Sequence, residues 1–144
     1  MKLLYKLAAI VGTFSFFSCA VSQELKSYDD INKAVKLGNQ ITLVFSLNKC
    51  EVYSGTNDYT EINGYIRPTT IMNVGNRIVF SQQLLNDHHI ESSIPVIENN
   101  AYSINNNDEV EMTFRVLDAQ SYKEINGMTK KFICKLGNAA KVYS

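Results

Sequence analysis

The feature that most constrains this chain is the stretch from Glu109 to Val116. Val110, Met112, Phe114 and Val116 alternate there with Glu109, Glu111, Thr113 and Arg115. Successive side chains of an extended backbone point to opposite faces, so this period of two predicts a strand with one face in a core and the other in water. Such a strand needs neighbours. Ala101 to Ile104 and the run Asn105-Asn106-Asn107-Asp108 read as the other arm of a hairpin and its turn, because Asn and Asp tolerate left-handed backbone. Ile41, Leu43, Phe45 and Leu47 alternate with Thr42, Val44 and Ser46, predicting a central strand. Further strands are predicted at 64 to 74, 76 to 83, 128 to 136 and 139 to 143, and Pro68 argues that the first of these is broken or lies at a sheet edge.

One helix is predicted, over residues 27 to 38. Ser27 can cap its first amides, Asp29 and Asp30 suit its positive end, and Gly38 can terminate it in a left-handed conformation. Tyr28, Ile31, Ala34, Val35 and Leu37 recur at helical spacing, which predicts a helix lying on a sheet; a partner-binding helix is the alternative. The pieces Tyr59-Thr60-Glu61-Ile62-Asn63-Gly64 and Tyr122-Lys123-Glu124-Ile125-Asn126-Gly127 echo one another, and both end on a dipeptide that signals a tight turn. No wider similarity surrounds them, so reuse of good turn chemistry explains the echo better than duplication.

Ahead of the helix, Lys2 and Lys6 precede an apolar stretch from Leu7 to Phe17, the pattern of a signal peptide and too short for a transmembrane helix. Residues 1–20 are expected to be removed after Ala20, with Ala20-Val21-Ser22 offering a second cut. Residues 21–26 then form a short tail and 27–144 a single domain. The mature protein is expected to be secreted or periplasmic. Lipid attachment at Cys19 is an alternative, although Phe16 stands where a lipidation site usually has Leu; a buried N-terminal helix is another.

The removed segment carries two of the 14 basic residues and none of the 14 acidic ones, leaving a slightly acidic chain without the basic footprint of a nucleic-acid binder. No other stretch is apolar enough to cross a membrane. Of the three cysteines, Cys50 and Cys134 remain, and a lone pair in an exported chain is most simply a disulfide. Both cysteines fall at strand ends or within strands, so the bridge would be structural.

Chemistry is harder to find. Asp87-His88-His89-Ile90-Glu91 holds both histidines and is the one cluster of possible metal ligands, yet adjacent side chains diverge, and a polar surface loop accounts for it. No pair of carboxylates is singled out as acid and base, and no phosphate-binding glycine loop, serine elbow or metalloprotease motif is present. An enzyme is disfavoured, and no cofactor is implied.

The opening helix with Gly38, the strand Ile41-Thr42-Leu43-Val44-Phe45 leading to Asn48-Lys49-Cys50, and the segment Phe132-Ile133-Cys134-Lys135-Leu136-Gly137 together resemble the VirK family of small bacterial proteins. The resemblance implies an exported protein, one that could act on a host, with no catalytic residues to carry over. The expectation is therefore a mainly β, α+β domain, its N-terminal helix packed on an antiparallel sheet or half-closed barrel, acting by binding an unknown protein. Two other readings stay open. One is a carrier of a small apolar ligand, if the sheet encloses a cavity; the other is a metal-dependent hydrolase centred on Asp87, His88, His89 and Glu91.

Overall fold

A computed structural model describes residues 22–54, 62–87 and 94–144. The helix α1, Tyr28–Lys36, begins where the sequence places its cap: the Ser27 hydroxyl accepts from the Asp30 amide at 3.2 Å. It ends as Gly38, at φ +78°, lets its own amide and that of Asn39 turn back to the Val35 and Ala34 carbonyls. Tyr28, Ile31 and Ala34 are buried and belong to the hydrophobic core, whereas Leu37, grouped with them by helical spacing, is 70 % exposed. Leu37 is the C-cap residue, just past the helix's last turn.

Ten strands accompany it: β1 Glu24–Leu25, β2 Thr42–Ser46, β3 Glu51–Ser54, β4 Asn63–Ile66, β5 Met72–Val74, β6 Arg77–Asn86, β7 Val96–Asn105, β8 Glu109–Asp118, β9 Lys130–Lys135 and β10 Ala140–Tyr143. Among the described residues they form two antiparallel sheets and no closed barrel. The first has the order β1-β10-β2-β4 and the second β3-β9-β8-β7-β6-β5. The chain crosses from the first to the second after β2 and again after β4, and returns after β3 and after β9. Pro68 lies in the second of the outward crossings, so the stretch 64 to 74 is two strands in different sheets.

The tail read over 21–26 contributes β1, whose Leu25 is buried and pairs with Val142. Two residues are too few to show a period, and β3, with a register shift between Val52 and Ser54, is similarly silent in sequence. Asn63-Gly64 is extended in β4, where Gly64 stands opposite Phe45, while Asn126-Gly127 does turn, with Gly127 at φ +83°. A backbone paired to β2 on one side overrides the local turn preference of Asn-Gly, and the two echoed pieces differ accordingly.

Cross-strand partners share a face, so register names the core. In the larger sheet the inward rows are Ile78, Ile104, Val110, Cys134 and then Phe80, Tyr102, Met112, Phe132; all are buried. In the smaller sheet Ile41, Leu43, Phe45 and Leu47 are each 7 % exposed or less. Phe45 bridges the sheets, its ring centre 6.2 Å from that of Tyr102 and 6.4 Å from that of Phe114. Phe80 stacks on Tyr102 at 5.2 Å and Phe114 meets Phe132 at 5.7 Å. The face that would line a carrier's cavity is thus occupied by packed side chains.

Cys50 and Cys134 are joined, with Cα atoms 4.4 Å apart and 84 residues between them in sequence. Cys50 ends the 3-10 turn Leu47–Lys49 at the first crossing between the sheets, and Cys134 sits on β9 just before the last.

Candidate functional site

Three parts of the surface could meet another molecule. The first is an open polar cleft of about 750 Å³ beside the start of α1, lined by Ser27, Asp29, Asn32, Asn73, Asn76 and Asp108 among others. Much of its hydrogen-bonding capacity is used internally. Asp108, held at φ +56° in the β7–β8 turn, accepts from the Tyr28 amide at 2.6 Å, and Asn73 donates to Asn32. A carboxylate at a helix N-terminus satisfies a free amide and the helix dipole together, so Asp108 ties the turn to α1.

The second is a shallower hollow of about 350 Å³ on the outward face of the larger sheet, where small Ala101 and Ser81 lie among Met72, Val79, Glu111 and Thr113. Beneath it, burial pushes the Tyr102 phenol up to about 12, so this hydroxyl stays protonated and takes no part in acid–base chemistry near neutrality. Nearby on the outward face, the Lys135 ammonium donates to Glu109, which Asn105 also approaches; these bonds hold the Glu109 carboxyl below and the Lys135 ammonium above their ordinary ranges.

The third is the far half of the arm formed by β6, β7 and β8. These strands run in unbroken register for ten residues, from Arg77 opposite Asn105 to Asn86 opposite Val96. At about 3.4 Å per residue the arm is about 34 Å long. The two fully buried rows lie in its first half; in the far half Val96 on β7 and Val116 on β8 are buried, while β6 is not. Ser81, Gln82, Gln83, Leu84 and Leu85 are all exposed, Leu85 by 75 %. Leu85 shares the outward face with Ile97 and Leu117.

The two edges of this arm differ. On the β8 side, Glu124 bridges Leu117 and the Ile125 amide donates to the Val116 carbonyl. A tight turn holds that segment, because Asp118 accepts from the Gln120 and Ser121 amides and from the Ser121 hydroxyl; the bonds from Ser121 chiefly pull its carboxyl below the ordinary value. On the β6 side, β5 pairs only with Arg77, Ile78 and Val79, and no other described strand continues it. The strand expected over 76 to 83 extends to Asn86, through Gln82-Gln83-Leu84-Leu85, which does not alternate. Val96 and Val116 are buried on β7 and β8, but every residue of β6 from Ser81 to Leu85 is exposed, so burial imposes no period on this strand.

Among the described residues, no three His, Cys, Asp or Glu side chains gather to hold a metal ion, and no helix is long and apolar enough to cross a membrane. Asp87 is described and exposed; His88, His89, Glu91, Cys19 and the signal segment 1–20 lie outside the described residues.

These features define a disulfide-linked antiparallel β protein with two sheets and one short helix. A family model described as VirK protein matches residues 24–122, more than half of the chain, and the chain belongs to the VirK family. That match includes Cys50 and stops before Cys134. The crystal structure of a VirK family protein from Legionella pneumophila is similar in fold, with a TM-score of 0.73 and 24 % identity over 84 % of this chain and 98 % of that one. No curated protein matches significantly.

Proposed function

We propose that this chain is an exported, non-enzymatic binding protein whose contact surface is the far half of the β6–β7–β8 arm. The observation that carries the reading is that this half extends beyond the buried rows and presents Leu84 and Leu85 to solvent on regular backbone. Apolar side chains on a rigid sheet supply contact area with little ordering cost, which favours recognition of another macromolecule. In this reading α1, through Tyr28, Ile31 and Ala34, packs on the sheets as scaffold, and the disulfide braces the buried row at the arm's first half, where Cys134 pairs with Val110. The filled interior gives less support to the apolar-ligand carrier. The signal-like segment supports export in this reading, and the family resemblance supports a host-directed role.

A photoreactive residue at position 85 or 115 on the arm, compared with one at exposed Tyr65 on the smaller sheet, tests the surface in the producing culture. Cross-linked adducts are expected several-fold more often at 85 and 115. Equal yields at Tyr65 would remove the arm from consideration.

A further inference from the structure

We infer that two copies of this chain pair through the open edge of β6 at Ser81 to Leu85, joining the two larger sheets into one continuous antiparallel sheet across a two-fold axis at Gln83. The inference rests on the arm being a contact surface and names its occupant as a second copy.

An edge strand presents unpaired amides and carbonyls at alternate residues, and proteins usually guard such edges with short length, charge, proline or a bulge. Three of the four sheet edges here are guarded. β1 has two residues. β3 has four, begins with Glu51 and carries a register shift. β4 has four and runs into Arg67-Pro68. Among the described residues the fourth is covered by β5 for three residues only, and β6 then continues past Val79 without bulge, charge or proline.

That composition selects the partner. Ile78 to Asn86 carries no charged side chain, so a charged strand would find no complement, whereas a second β6 brings none to repel. Antiparallel pairing of one strand with its own copy is self-complementary and closes after two copies, because both open edges are consumed. Across the axis Leu85 lies opposite Ser81 of the second copy and Leu84 opposite its Gln82, on opposite faces, which covers part of both leucines. Five paired residues span about 17 Å, at the small end of specific interfaces, so association in the range of about 10 µM to 1 mM is expected.

Sedimentation equilibrium of the full mature chain, from about 10 µM to 1 mM, reads this directly. The weight-average mass should rise toward that of a dimer and no further. Gln83→Lys sets like charges directly across the axis and, separately, Leu84→Lys sets them at diagonal positions on the opposite face; each should weaken association at least about tenfold. Both positions are exposed, and a thermal melt of the dilute variants checks that they fold. Independently, amide exchange at Gln82 to Leu85 in the unsubstituted chain should slow as concentration rises. A chain that stays monomeric at 1 mM, a dimer indifferent to both lysines, or exchange independent of concentration would each overturn the pairing. The cross-linking contrast between positions 85 and 65 would still decide whether the arm binds something else.

Discussion

Replacing Gly64 by Ala tests how the two sheets are fitted together. Alanine inside a strand ordinarily gains about 0.5 to 1 kcal/mol over glycine, because glycine loses more backbone entropy on folding. The expected sign here is the opposite. A Cβ on Gly64 would lie 2.6 Å from Cζ of Phe45, 2.9 Å from Cε2 and 3.3 Å from Cε1. The ring can yield only toward Tyr102 and Phe114, whose centres are already about one ring-width away in a filled core. Overpacking of this kind costs about 1 to 3 kcal/mol, which exceeds the entropic gain. Urea unfolding of Gly64→Ala should show a lower midpoint at unchanged slope. In a Phe45→Leu background the offending ring atoms are gone, so the same alanine should be neutral or stabilising, giving a coupling of about 1 kcal/mol or more in the double-mutant cycle. A stabilising Gly64→Ala with Phe45 intact would refute the argument that ring contact, and not turn geometry, requires glycine here.

Two further outcomes follow from the bridge and from the Asp118 turn. Substituting both cysteines, Cys50→Ala with Cys134→Ala, should cost about 4 to 5 kcal/mol by relaxing an 84-residue loop in the unfolded chain. That is comparable with the whole stability of a small domain, so calorimetry should find the double variant largely unfolded at 37 °C; a loss under 1 kcal/mol would refute the bridge as a principal brace. Asp118 is held below its ordinary value of 3.8, so its contribution is present above that value and is lost as pH falls through the lower folded one. Asp118→Asn should therefore lose less stability than the parent between about pH 5 and pH 2 in acid-unfolding curves; parallel curves would contradict this.

The sequence is legible where one side of an element meets the core. Glu109 to Val116 and Ile41 to Leu47 display their period because each has buried rows at every second residue, and α1 shows its limits because Ser27 and Gly38 have side-chain or backbone properties specific to helix ends. The rest needs partners distant in sequence. β1 and β3 are too short for a pattern; Asn63-Gly64 is drawn into a strand by β2; the continuation of β6 to Asn86 is set by its pairing with β7. Of the surface proposed for contact, only the residues were visible beforehand, since exposure of Leu84 and Leu85 depends on where the core stops.

The placement of the Cys50–Cys134 bond also bears on what a protease could do to this protein. The arm, both of its hairpin turns and the connections through Pro68 all lie within the segment that the bond encloses. A single peptide cleaved anywhere in that segment, the most exposed part of the arm included, produces two polypeptides that remain one molecule. Their strands stay interleaved in both sheets, since each fragment contributes to the smaller sheet as well as the larger. Nicking would be invisible until the sample is reduced, and the wounded protein would keep the apolar rows that hold it together.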